Sequence, residues 1–125
     1  MSQIRLLIID DEISFTRLLK LNLENTGKYT VQVENAGQNG LAVARDFNPD
    51  LIFLDVMMPG MDGGVLAARM RENHILKNTP IVFLTAAVQQ KEIDSRGGVI
   101  GGFPYLAKPV DLEEIMACIE KTLGS

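Results

Sequence analysis

Apolar positions along the chain gather into five short runs: Ile4 to Ile9, Tyr29 to Val33, Leu51 to Leu54, Ile81 to Leu84 and Phe103 to Ala107. Each has the length of a strand and is rich in Ile, Leu, Val or aromatics. The first, third and fourth are nearly unbroken, the pattern of parallel strands covered on both faces. The second alternates, with Val31 and Val33 set against Thr30, Gln32 and Glu34, which predicts an edge strand with one wetter face. Between the runs lie helix-length segments. Phe15, Leu18, Leu19 and Leu23 recur at helical spacing, and Leu112, Ile115, Met116, Ile119 and Leu123 form a single stripe on a last helix. Asp111 followed by Glu114 predicts a capping box at the start of that helix. Weaker helical segments run from Gln38 to Phe47, stopped by Asn48-Pro49, from Val65 to Glu72 after an Asp62-Gly63-Gly64 turn, and from Val88 to Arg96. Alternation of strand and helix throughout predicts an α/β fold. Right-handed crossovers then require a parallel sheet with helices on both faces.

Composition narrows the class. The chain has 125 residues, 16 acidic side chains against 12 Lys and Arg, and a formal charge of −4. That length fits one domain, residues 1–125, able to bury a core without staples. The acidic balance speaks against direct nucleic-acid binding, because a phosphate backbone calls for surplus Lys and Arg. The single cysteine, Cys118, cannot form an internal disulfide and fits a reducing compartment. No apolar run reaches the roughly 18 residues of a membrane span, and the first residues do not read as a secretory signal. The expectation is a cytoplasmic protein without membrane contact.

In such sheets ligands sit beyond the carboxyl ends of the strands. The first run ends in Asp10-Asp11-Glu12, the third in Asp55, the fourth in Thr85 and the fifth in Lys108-Pro109. Each has a plain structural reading. Asp10 and Asp11 suit a helix N-cap, Asp55 suits the start of a turn running to Pro59-Gly60, Thr85 is a β-branched strand residue, and Lys108 alone reads as a solvated surface lysine. Their convergence at one sheet edge is the stronger reading. Three ionised carboxylates within several ångströms repel by a few kcal/mol per pair at an effective dielectric of about 20. Protonation or a cation must relieve them. Oxygen donors without nearby His or Cys suit a hard ion, and magnesium suits best. Lys108 adds a positive charge of the kind that binds phosphate, and an aspartate can attack phosphorus to give an acyl phosphate.

Four stretches together, Leu7-Ile8-Ile9-Asp10-Asp11-Glu12, Asp50 to Gly63, Phe83-Leu84-Thr85-Ala86 and Tyr105-Leu106-Ala107-Lys108-Pro109, resemble the receiver domain of two-component response regulators over the whole chain. The resemblance implies a five-stranded parallel sheet of strand order 2-1-3-4-5, a flavodoxin-like (βα)5 three-layer sandwich. It implies that Asp55 accepts a phosphoryl group from a phosphohistidine on a sensor histidine kinase or phosphotransfer protein. Asp10, Asp11, Asp55 and the backbone carbonyl of Met57 would hold Mg2+, with Mn2+ as a substitute. Thr85 and Lys108 would act on the phosphoryl oxygens. Thr85 and Tyr105 would form the switch, Ala86 would leave the site open, and the Lys108-Pro109 bond would be cis. The signalling surface would comprise the fourth helix, fifth strand and fifth helix and would control a downstream effector or output domain. The chain would be a monomer or weak dimer, and no enzyme beyond its own phosphorylation and dephosphorylation.

Some positions depart from that pattern. Gly64 predicts a loosened start to the third helix, and the glycines between Arg96 and Pro104 predict a short or mobile fourth helix. His74, the only histidine, reads as a favourable charge near a helix C-terminus. Cys118 reads as a small core residue, and Met57, Met58 and Met61 read as packing. Three other readings compete. A phosphatase of the haloacid dehalogenase type puts its nucleophile on the first strand and a second Asp two residues on, where this chain has Met57. A flavodoxin-like nucleotide binder needs an anion loop after the first strand, where Asp10-Asp11-Glu12 repels phosphate. A phosphorylation-independent receiver usually loses one of the acidic or Lys positions, all of which are kept here.

Overall fold

In the computed structural model, residues 3–86, 99–100 and 103–124 are described. Five parallel strands form the sheet: β1 (Ile4–Ile9), β2 (Tyr29–Glu34), β3 (Leu51–Asp55), β4 (Ile81–Thr85) and β5 (Phe103–Ala107). Their order is β2-β1-β3-β4-β5, and Val99–Ile100 adds a short sixth strand, antiparallel to β5, at that edge. The sixth strand lies in the glycine-rich stretch, where no strand was expected. The expected fourth helix lies outside the described residues.

The unbroken apolar runs are strands because both faces are covered. Alternate residues of each strand enter opposite cores, as a period of two requires. Leu6, Ile8, Leu51, Phe53, Val82 and Leu84 face one layer, with Leu19 and Leu23 of helix α1 (Ile13–Asn25) and Ile115 and Ile119 of the last helix (Leu112–Leu123). Leu7, Ile9, Ile52, Leu54, Ile81 and Phe83 face the other, with Ala44 of α2 (Gly40–Phe47) and Leu66, Ala67 and Met70 of α3 (Gly63–Glu72). The result is helix, sheet, helix.

β2 is an edge strand, as its alternation requires, and α1 guards it: Val31 N donates to Glu24 Oε2 at 3.0 Å. The capping box of the last helix is present, with Glu114 N donating to Asp111 Oδ1 at 2.8 Å. α2 stops where Asn48 takes a positive φ of 50° before Pro49. Cys118 is half-buried on the last helix, and His74 is exposed in the turn after α3.

Three local expectations need correction. Leu18 belongs to the spacing of α1 but is 59% exposed, since the helix buries only the line through Thr16, Leu19 and Leu23. Met58 and Met61 pack as expected, whereas Met57 is 67% exposed because its strand position turns outward. α3 begins at Gly63, not Val65, because Asp62 caps it by accepting from Gly64 N at 2.7 Å. Gly64 therefore sits in a capped first turn and not in a loose one. Gly63 must be glycine, since a Cβ there would lie 2.2 Å from the backbone oxygen of Asp55. Before α3, Met57–Met58 pairs antiparallel with Met61–Asp62 around Pro59-Gly60, where Gly60 supplies a φ of 74°.

Candidate functional site

β1 pairs with β2 on one side and β3 on the other, so the strand order reverses at β1. The crevice outside a reversal of this kind, at the carboxyl ends of the strands, is where α/β sheets place ligands. Asp10 follows the last residue of β1, Asp55 ends β3 and Lys108 follows β5. Register brings them level, since Ile9 pairs with Leu54 and Leu84 with Asp55.

Asp10 is fully buried and Asp55 is 5% exposed. Asp10, Asp11 and Asp55 each offer an oxygen within 4.8 Å of the others. Lys108 Nζ lies 2.6 Å from Asp10 Oδ2, 2.7 Å from Glu12 Oε1 and 3.8 Å from Asp55 Oδ2. Its other near neighbour is the Phe15 ring, 4.8 Å away at the centroid. The Lys108-Pro109 peptide is cis. Burial pushes the Asp55 carboxyl up to about 6, the charge of Asp10 adds to this, and Lys108 works against it. Burial also raises Asp10, partly countered by Lys108 and by the Glu12 N–H that donates to Asp10 Oδ1 at 3.0 Å. Burial alone would lower the Lys108 ammonium, but its short contacts to the accepting Asp10 and Glu12 carboxylates and the charges of Asp10 and Asp55 together hold it above the ordinary lysine value.

The reading of Asp10 and Asp11 as helix caps gives way here, because the N-cap of α1 is Glu12, and its side chain caps nothing. Lys108 is no solvated surface lysine: its side chain is 8% exposed. Met57 N donates to Asp55 Oδ1 at 3.4 Å. Thr85 ends β4 opposite Ala107, and its side chain lies outside the described residues. Tyr105 lies on β5, half-buried, with its ring 5.0 Å from that of Phe83. Ala86 is exposed and lines a cavity of about 300 Å³ beside Lys108.

Several contributors have no assigned role in the sequence reading. Glu12 holds Lys108. Asn35 Nδ2 donates to the backbone oxygen of Asp10 at 2.7 Å and to Thr16 Oγ1 at 3.0 Å, which fixes the turn out of β1. Asn35 directly follows β2, so the parallel topology alone puts it at the same edge. Glu12 was detectable as a poor N-cap in an N-cap position.

The donor set fits a hard divalent cation. It is oxygen only, it is crowded with negative charge, and the buried Asp10 Oδ2 has an ion-pair partner but no well-directed hydrogen bond.

Comparison with known proteins agrees with this fold. The chain is 39% identical over 119 residues to the DNA-binding dual master transcriptional regulator RpaA of Synechocystis sp., covering 95% of this chain and 48% of that protein. It is 34% identical to the phosphate regulon transcriptional regulatory protein PhoB of Pseudomonas aeruginosa, covering 94% of this chain and 51% of that one. The chain thus spans about half the length of these relatives. The structure of the chemotaxis response regulator CheY4 of Vibrio cholerae superposes with a TM-score of 0.83 at 29% identity, covering 98% of this chain and all of that one. The model of the response regulator receiver domain matches residues 6–120, so the chain belongs to that family.

Proposed function

We propose that this chain is a phosphoacceptor switch of a two-component phosphorelay, with Asp55 as the acceptor. The observation that carries the reading is the pairing, at one sheet edge, of a buried Asp55 with an ammonium 3.8 Å away and two further carboxylates within 4.8 Å. An Asp55 oxygen attacks the phosphorus of a phosphohistidine on a sensor kinase or phosphotransfer protein. The new O–P bond forms as the P–N bond breaks, and the electron pair leaves on the imidazole nitrogen. Hydrolysis of the resulting acyl phosphate returns the carboxylate and releases phosphate.

The residues divide the work. Lys108 supplies positive charge to the equatorial oxygens, and the Thr85 hydroxyl is assigned to the same oxygens. Asp10, Asp11, Asp55 and the Met57 carbonyl would hold Mg2+, with Mn2+ able to replace it. Bound there, the ion neutralises the carboxylates and the charge that develops on the phosphoryl group. Thr85 and Tyr105 then bias the surface of the fourth helix, fifth strand and last helix toward one of two states. That surface addresses an effector or an output domain, consistent with the transcriptional regulators among the relatives. The chain turns over no metabolite.

Intact-mass analysis with acetyl phosphate and magnesium tests this. Wild-type protein gains one phosphoryl group and Asp55→Asn gains none. Equal gain in both would remove Asp55 from the role.

A further inference from the structure

We infer that Glu12 is a positioning residue that holds Lys108 in the resting site and yields it to the incoming phosphoryl group. The inference rests on the phosphoacceptor reading and concerns what that reading leaves unassigned. An ammonium has three N–H donors. In this structure Asp10 Oδ2 at 2.6 Å and Glu12 Oε1 at 2.7 Å engage Lys108, while Asp55 Oδ2 at 3.8 Å stands beyond hydrogen-bond range. Two of those donors have partners here; for the third to reach an oxygen on Asp55 the ammonium must move about 1 Å toward it, which strains its contacts with Asp10 and Glu12.

The two partners are unequal. Asp10 is fully buried, so water cannot take the place of Lys108 at its Oδ2. Glu12 has a side chain 56% exposed, so water replaces Lys108 at little cost. It also borders the 300 Å³ cavity shared with Phe15, Ala86, Lys108, Pro109 and Val110, which gives the carboxylate room to swing away.

Position and residue type agree. Glu12 is the N-cap of α1, where Ser, Thr, Asp or Asn would accept from the first turn. Its side chain makes no such bond, and the helix is started instead by its backbone oxygen, which accepts from Thr16 N at 3.1 Å. The side chain is therefore dispensable to the helix and is turned to the ammonium.

Glu12→Gln removes the charge. Glu12→Asp keeps the charge but shortens the reach by one methylene. Both should fold as wild type by circular dichroism and thermal unfolding, since the backbone contact survives. With acetyl phosphate and magnesium, where an Asp55 oxygen displaces acetate from phosphorus, both variants should take up the phosphoryl group about threefold faster, the scale of an exposed ion pair. In metal-free protein without donor, the Lys108 ammonium signal in ¹⁵N NMR should exchange with water faster in both variants. A faster uptake in Glu12→Gln alone would trace the effect to general charge and overturn the inference. So would unchanged uptake, or an unchanged ammonium signal, in both. Failure of wild-type protein to take up any phosphoryl group would instead sink the phosphoacceptor reading, while the donor-free signal still reports whether Glu12 holds Lys108.

Discussion

Asp55 is held in a state that favours its protonated form, and this has a thermodynamic sign. Its carboxyl sits near 3.8 when free and at about 6 in the fold. Between those values the native state binds a proton that the unfolded chain has lost. The contribution of Asp55 to the stability of metal-free protein therefore falls as pH rises from about 4 to about 6, and stays low above that window. Asp10 shifts in the same direction and adds to the slope. A two-unit displacement corresponds to about 3 kcal/mol at most. Asp55→Asn should thus stabilise the metal-free protein near neutral pH by about 1–3 kcal/mol and flatten the slope, measured by urea unfolding across that range. A variant less stable than wild type near neutral pH would show that ionised Asp55 is a net support for the fold. At this scale the acidic and basic site positions were legible because each follows an apolar run. The partner of Lys108 was not, since Glu12 reads in sequence as one more charge at a helix start.

Elements show why some boundaries could be read and others could not. Strands β1, β3 and β4 are buried on both faces, so the apolar run and the strand coincide within a residue. The start of α3 could not be found locally. Asp62-Gly63-Gly64 has turn chemistry, and only the nearness of the Asp55 backbone, eight residues back, explains why Gly63 opens a helix. Gly63→Ala should therefore cost far more than a helix propensity change would suggest. Alanine ordinarily gains about 1 kcal/mol over glycine inside a helix. Here it should destabilise by about 2 kcal/mol or more, as overpacking does, in chemical unfolding. The last helix offers the opposite case, a local signal that survives intact. Asp111→Ala should remove the cap from Glu114 N and cost about 1 kcal/mol by the same measurement.

For the molecule as a whole, the site is the place where its two cores leave charge exposed to charge. Leu6 to Ile9 and Leu51 to Leu54 hold Asp10 and Asp55 at fixed separation whether or not the carboxylates approve. A divalent cation that joins Asp10, Asp11 and Asp55 binds the folded chain only, so it should raise the unfolding temperature near neutral pH. At a concentration 100 times its dissociation constant the gain is about 2.7 kcal/mol. At about pH 4, where Asp55 is protonated, the gain should largely vanish, and Asp11→Asn should reduce it near neutral pH. Calorimetry with and without magnesium reads both effects. Among the described residues no helix is long and apolar enough to cross a membrane.

The grip of Glu24 on Val31 reaches beyond the single molecule. On one rim of the sheet the protein's own first helix occupies one edge amide that could otherwise pair with a neighbour. The opposite rim is guarded differently: among the described residues its outer strand is only two residues long, Val99 and Ile100, which leaves little edge for a neighbour to extend.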